Sequence, residues 1–351
     1  MTTPTFASRE SPPAISAPRT ATVVGAYGHT GQFVVAELHR RGWTTILAGR
    51  DPEKLEALRV AYPGAAVRQV DMADPRSLDR AIAGADVVIH CAGPFADTTG
   101  PVLDAALRAR VHYLDTAAEQ PAVVAAFERC AAAARDAGIV AVPAMAFYGG
   151  LGDLLATAAM ADWRDADAID IAIALDRWYP TRGTRLTGQR QTGPRLRLAN
   201  HHLGHAELPA PRSWEFGAPF GRQAVEGVSL AEAVLIARHL RTAELRVYLN
   251  AAPLRDLRDP ATPPPAAVDD RGRSAQIFEV EVIAHRGGEV RRVAARGRDI
   301  YAISAPLVVE GAARLVAGPV RRTGVLAAGE AFDAGELLAA LAPELVTAAR
   351  S

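Results

Sequence analysis

The chain has 351 residues, 49% of them apolar, and its 39 basic and 39 acidic side chains cancel to a formal charge of zero. This excludes disorder as the main state, and it leaves no excess of cations to displace counterions from DNA, RNA or an anionic membrane. Lys54 is the sole lysine, so 38 of the basic residues are arginine, and any lysine-dependent chemistry must use Lys54 or be dropped. It sits in Asp51-Pro52-Glu53-Lys54, a charged helix start, with Arg50 four residues before it. That setting excludes a buried Schiff-base lysine, a P-loop and the Tyr–Lys pair of ordinary short-chain dehydrogenases.

Residues 1–19 are rich in Thr, Ser, Pro and Ala and lack the apolar stretch of roughly 7–15 residues that an export signal needs, so they are expected to form a flexible tail. From Ala21 to Met145 short β-branched runs alternate with helical patterns, the signature of a parallel sheet wrapped by crossover helices. Strands are expected at Ala21–Val24, Thr44–Leu47, Val67–Val70, Asp86–Cys91, Val111–Leu114 and Ile139–Val142. Helices are expected at Gln32–Arg41, Pro52–Tyr62, Pro75–Ala83, Val102–Arg110 and Pro121–Ala137. After Gly150 the character changes: a helix at Asp153–Met160, an Ile/Ala strand at Ala168–Leu175, then an arginine-bearing stretch from Arg182 to Arg197 without helical periodicity. Ser229 is read as the cap of a helix from Glu232 to Leu240, Leu245–Leu249 as a strand, and residues 258–274 as a proline-rich loop. Ile277–Ala284 and Val290–Ala295 flank a Gly287-Gly288 hairpin signal. The most apolar run, Ala302 to Gly318, carries Glu310 and Arg314 in its middle, so it reads as a packed amphipathic helix and not a membrane span. The expected architecture is a Rossmann-type doubly wound α/β domain (20–148) and a second α+β domain with a largely antiparallel sheet (149–303). C-terminal helices (304–351) then pack back on the first domain.

Gly25-Ala26-Tyr27-Gly28-His29-Thr30-Gly31 joins the first strand to the first helix. Gly25 permits the tight turn, Gly28 lets the backbone approach a pyrophosphate and Gly31 lets the helix pack closely on the sheet. The second strand ends at Arg50, where an NAD site normally has a carboxylate; a guanidinium there, with Lys54 one turn on, favours the 2′-phosphate of NADP(H). Asp51 is expected to turn toward the helix amides as N-cap. Asp71, at the end of the third strand, is placed either at the adenine or as a cap of the next turn. Two cysteines, Cys91 and Cys130, are too few for a zinc cluster or a disulfide framework, which points to a reducing cytoplasm. Cys91 itself reads as packing at the cofactor side of its strand.

The glycine turn, Ala48-Gly49-Arg50-Asp51 with Lys54-Leu55, Cys91-Ala92-Gly93-Pro94-Phe95, and Val111-His112-Tyr113-Leu114-Asp115-Thr116 with Glu119 resemble, in this order, the saccharopine-dehydrogenase-like NADP-binding family. The chain is similar to its branch of short bacterial reductases, which includes trans-acting enoyl reductases, with Tyr27 where that family usually has Thr. The resemblance implies an NADPH-dependent oxidoreductase, a loop Ala92-Gly93-Pro94 beside the nicotinamide-side ribose, and a possible homodimer through the second domain's sheet. The substrate would be a small or carrier-linked metabolite reduced at C=N or an activated C=C. Hydride transfer then needs a proton donor. Tyr148, just past the sixth strand, is the first candidate, and Tyr113 and Glu119 form a second group; alternation along the fifth strand is expected to turn one of His112 and Tyr113 toward the cleft. The other reading of each is structural: an aromatic at a domain junction, or a helix start. The arginines Arg182 to Arg197 are either substrate-binding or a solvated face, and His201, His202 and His205 suggest no metal site. A non-catalytic protein that senses NADP(H) redox state is the alternative function.

Overall fold

The structure, a computed structural model, describes residues 19–190 and 193–350, so most of the expected N-terminal tail lies outside the described residues. The first part alternates β1 (Thr20–Val24), α1 (His29–Arg40), β2 (Thr44–Gly49), α2 (Pro52–Ala61), β3 (Ala66–Gln69), α3 (Pro75–Ile82), β4 (Val87–His90), α4 (Phe95–Ala109), β5 (His112–Asp115), α5 (Gln120–Ala137) and β6 (Val140–Val142). An irregular turn at Phe147–Leu151 leads to α6 (Gly152–Met160), β7 (Ala166–Leu175), α7 (Arg182–Arg190), the hairpin β8 (Leu196–Ala199) and β9 (His202–His205), then β10 (Arg212–Glu215), β11 (Arg222–Val228) and α8 (Ala231–His239). The chain continues through β12 (Thr242–Asn250), α9 (Ala251–Arg258), β13 (Ile277–Arg286), β14 (Glu289–Arg298), α10 (Ser304–Val316), β15 (Gly324–Val325), α11 (Ala328–Ala331), α12 (Ala334–Ala340) and β16 (Leu345–Arg350).

The first sheet is all parallel, in the order β15-β6-β5-β4-β1-β2-β3. Its central strands are buried on both faces, which is why β1 and β4 read as continuous apolar runs without alternation. Val24 pairs with Ala48 on one side and His90 on the other, so β1, β2 and β4 end level and their following loops emerge side by side. Chain direction across the sheet reverses between β1 and β4, the crevice where open α/β sheets bind ligands. Caps stop the helices where the sequence suggests: Asp51 and Asp74 accept from Lys54 and Arg76 amides ahead of prolines, and Gly138 closes α5 at φ +72°.

The second sheet runs β10-β11-β12-β7-β13-β14-β16, antiparallel except for the β7–β12 pair. Ile169, Ile171 and Ile173 of β7 with Val280 and Val282 of β13 form its inner face, and α6 packs on it. Gly287 and Gly288, at φ +54° and +87°, make the β13–β14 turn. The amphipathic α10 packs on α1, β4 and β5, with Arg41, just past α1, bonded to Glu310 at 2.6 Å. No helix among the described residues is long and apolar enough to cross a membrane.

Three expectations are corrected. The stretch from Arg182 begins with a helix, α7, hidden from periodicity because none of its residues is buried. Ser229 caps nothing: its Oγ donates to Leu196 O at 2.5 Å, and Leu230 takes the N-cap place of α8. The C-terminal run is more than helices, since β15 extends the first sheet beside β6 and β16 extends the second beside β14.

Candidate functional site

The loops at the carboxyl ends of the first sheet face a cleft of about 1120 Å³ whose opposite wall comes from the second half of the chain. At its centre Gly25 adopts φ +86° and its N–H bonds Ala48 O at 2.8 Å; a Cβ there would lie 2.8 Å from Ala92 N. A Cβ on Gly31 would fall 2.1 Å from Gly25 O, so the close seating of α1 on the sheet requires glycine at this position. No side chain caps α1 and no acid occupies its first turn, which leaves the amides following Gly28 turned to the cleft beside His29 and Thr30.

Arg50 lines the cleft at the end of β2. Asp51 is turned away from it: one carboxylate oxygen accepts Lys54 N at 3.2 Å and the other holds the Lys54 ammonium at 2.9 Å. That hydrogen bond from Lys54 keeps the Asp51 carboxyl below its ordinary pKa. Lys54 is 65% exposed, lies 5.7 Å from the centre of the Tyr27 ring and stands outside the cleft lining, so Arg50 alone of the expected pair borders the cleft. Tyr27 packs on Gly49, where a Cβ would come within 2.6 Å of its ring. Asp71 lines the cleft and caps its own turn by accepting Ala73 N at 2.9 Å.

Cys91, Ala92, Gly93 and Pro94 border the cleft after β4, anchored by Cys91 N on Val24 O at 2.7 Å and by Thr98 Oγ1 on Ala92 O at 2.6 Å. Burial pushes the Cys91 thiol up to about 12, which leaves it protonated and unsuited to nucleophilic work. Glu119 is buried at the cleft edge and accepts Phe95 N at 3.1 Å, Ala96 N at 3.0 Å and Thr187 Oγ1 at 2.9 Å. Its carboxylate therefore ties the cofactor loop to α7. Tyr113 points the other way: it is fully buried, donates to Asp115 Oδ2 at 2.9 Å and does not line the cleft. Its β5 neighbour His112 accepts Val140 N–H at 3.1 Å, so neither side chain reaches the cleft as alternation suggested, because α4 and α10 both pack on β5.

The second wall begins at the irregular turn. Gly149, at φ +118° with a would-be Cβ 2.8 Å from Ala144 O, bends the chain so that Tyr148 lines the cleft. The Tyr148 ring lies 4.8 Å from Phe147 and 5.4 Å from Trp178, and its hydroxyl is buried without a hydrogen-bond partner. Burial, then the neighbouring Tyr301 and Glu232, push its pKa well above the tyrosine range, so it stays an O–H donor. Trp178 and Tyr301, invisible as site residues in the sequence, complete this wall. Trp178 Nε1 donates to Tyr301 Oη at 3.1 Å, and Thr184 bonds the same oxygen at 2.9 Å. Each follows the end of a strand, β7 and β14, which is the one signal that marks them. His29 meets Tyr301 edge-on at 5.2 Å; burial lowers its pKa despite Asp299, and its buried Nε2 has no partner.

Of the arginines, Arg182 and Arg195 line the cleft, whereas Arg185 bonds the Asp259 and Thr262 carbonyls, Arg190 pairs with Asp97 and Arg197 with Glu244. His202 and His205 are exposed on β9, and no group of three or more His, Cys, Asp or Glu among the described residues is arranged to hold a metal.

A glycine turn before an uncapped helix, a guanidinium in place of a carboxylate after β2, and a second mixed-sheet unit closing the cleft define a two-part dinucleotide-binding protein. Residues 21–142 match the family model of the saccharopine dehydrogenase NADP binding domain. This stretch is thus similar to the NADP-binding domain of saccharopine dehydrogenases, and the cofactor it takes is NADP(H). The human saccharopine dehydrogenase-like oxidoreductase is 32% identical over 117 residues, 28% of this chain and 27% of that protein, so the chain spans about a quarter of the curated relative it matches. Apo saccharopine dehydrogenase (L-Glu forming) from Saccharomyces cerevisiae has the same overall fold, with a TM-score of 0.66 at 13% identity over 95% of this chain and 100% of that one.

Proposed function

We propose that the protein is an NADPH-dependent oxidoreductase that reduces a C=N or activated C=C bond of a small or carrier-linked metabolite, with Tyr148 as the proton donor. The observation that carries this reading is the buried, unpartnered Tyr148 hydroxyl in the same cleft as the glycine turn and the Cys91–Pro94 loop. A buried O–H left unpaired is costly unless a ligand atom meets it. The amides of α1 and Arg50 would hold the pyrophosphate and 2′-phosphate, and the Gly93-Pro94 loop the nicotinamide-side ribose. When bound, NADPH would supply the hydride and end as NADP⁺. Tyr148 gives its proton to the imine nitrogen, or to the carbonyl oxygen conjugated with a C=C, and recovers one from water, while Trp178, Tyr301 and α7 keep bulk solvent from the reacting atoms. Tyr113 and Glu119 are less suited, the first pointing away from the cleft and the second already accepting three hydrogen bonds.

A non-catalytic redox sensor would need the cofactor loops but no second compartment opposite them. The same reading places the protein in the cytoplasm, in keeping with its free Cys91 and Cys130, and as a homodimer through the second sheet. Tyr148→Phe tests the proposal: kcat for NADPH oxidation should fall by about 100-fold or more while NADPH affinity is retained, and an unchanged rate would reject the assignment.

A further inference from the structure

The wall facing the cofactor loops is aliphatic. Val228, Leu249, Leu254, Leu257 and Ile300 line it behind Trp178. At the mouth stand Leu186 on α7 and Leu208 between β9 and β10, 40% and 45% exposed, two of the few large hydrophobic side chains that the described residues leave in water. Apart from Arg182, the charged groups near this wall are engaged with one another or with backbone. Arg258 bonds Glu226 at 3.5 Å, Asp97 pairs with Arg190, and Glu119 serves Phe95, Ala96 and Thr187. Arg195 is also partnered, and Arg182 lies exposed at the rim. Among the buried polar atoms of the lining, those without a hydrogen-bond partner are the Tyr148 hydroxyl and His29 Nε2.

An amino-acid conjugate would bring several carboxylate and ammonium groups into this space, each needing a buried counter-charge, and burying them unpaired is far costlier than burying hydrocarbon. A neutral apolar body gains by covering the leucines, and a single carbonyl or imine nitrogen at its reacting end satisfies the Tyr148 O–H. We infer that the substrate is an uncharged, apolar enone or imine, aryl- or alkyl-substituted, with one hydrogen-bond acceptor conjugated to or within the double bond, and not a charged amino-acid derivative. This rests on the reductase reading above. Reduction adds hydride to the β-carbon of the enone while Tyr148 protonates the carbonyl oxygen it is hydrogen-bonded to, and the enol then tautomerises to the saturated ketone in water; with an imine the hydride goes to carbon and the Tyr148 proton to nitrogen, and in either case NADPH becomes NADP⁺.

The test compares NADPH oxidation with benzylideneacetone, with the imine of an aryl ketone and methylamine, and with lysine plus α-ketoglutarate. In parallel, benzylacetone, the saturated ketone, is titrated into the NADP⁺-loaded protein by calorimetry. The expected result is kcat/KM at least about 100-fold higher for an apolar substrate than for the charged pair, with saturable benzylacetone binding. Leu257→Gln, a partly exposed change at the wall, should weaken benzylacetone about tenfold and leave NADP⁺ affinity unaltered. Turnover confined to lysine and α-ketoglutarate, or no benzylacetone binding, overturns the inference and in the first case leaves the reductase reading standing. Benzylacetone binding with no NADPH oxidation by any probe supports the apolar site and refutes the reductase.

Discussion

Glu119 separates a positioning role from a chemical one. In Glu119→Gln one oxygen is replaced by an NH₂ group, so either Phe95 N–H or Ala96 N–H, now bonded at 3.1 and 3.0 Å, faces another donor. The loss of one hydrogen bond to a charged group, about 1.5–3 kcal/mol, adds to an uncovered buried N–H of about 1–3 kcal/mol, and roughly 3 kcal/mol is a fair sum. At about 2–4 °C per kcal/mol for a sizeable domain, the melting temperature should drop by roughly 6–12 °C, read by circular dichroism or dye fluorescence. Because the amides involved begin α4 directly after the Gly93-Pro94 loop, NADPH affinity should weaken as well, while kcat at saturation falls less than about tenfold. A melting shift below about 2 °C would refute the account of the contacts. A kcat loss of about 100-fold with normal stability would make Glu119 the acid after all.

Arg50→Ala should weaken NADPH at least about tenfold and leave NADH nearly unchanged, since it removes a guanidinium from the 2′-phosphate alone; equal losses in fluorescence titrations would count against it. Gly31→Ala drives a Cβ to 2.1 Å from Gly25 O, so α1 must lift from the turn, and cofactor binding should be lost in a less stable protein; wild-type affinity would contradict the close seating. Burial, with Asp153 nearby, raises the Glu232 carboxyl to about 7. An acid whose folded pKa lies above its unfolded value favours folding fully below the unfolded pKa, near 4.5, and that contribution fades as pH rises to about 7. Glu232→Gln keeps an acceptor for Gly149 N, now bonded at 2.9 Å, and should flatten this slope. At pH 8 it should stabilise the protein by up to about 3 kcal/mol in urea melts, and a slope identical to wild type would rule the assignment out.

The first sheet is legible because its central strands are buried on both faces and its helices carry both a stripe and punctuation: Asp51-Pro52, Asp74-Pro75 and Gly138 mark ends chemically. The first nucleotide loops could be read as well, since Gly25, Gly31 and Gly49 are each required for a steric cause. α7 could not be, since a helix that buries nothing imposes no period on Arg182–Arg190. β15 is two residues long, too short to show a pattern. The burial of Tyr113 does not follow from strand alternation, which separates two faces but does not say whether helices cover both. The second wall of the cleft, Trp178 and Tyr301, joins residues 123 positions apart through one hydrogen bond, a relation that no local spacing encodes.

β15 and β16 carry a consequence for biosynthesis. The strand that finishes the nucleotide-binding sheet is Gly324–Val325, and α10, which shields β4 and β5, also comes from the far end of the chain. A nascent polypeptide that has emerged only through Val142 therefore shows an unpaired β6 edge and a bare sheet face, two sticky surfaces, until some 180 further residues have left the ribosome. Cutting the chain behind β14 would recreate that state permanently. The NADP-binding module is contiguous as a sequence signature, yet as a folding unit it closes last, and premature termination should send it to aggregation or to chaperones.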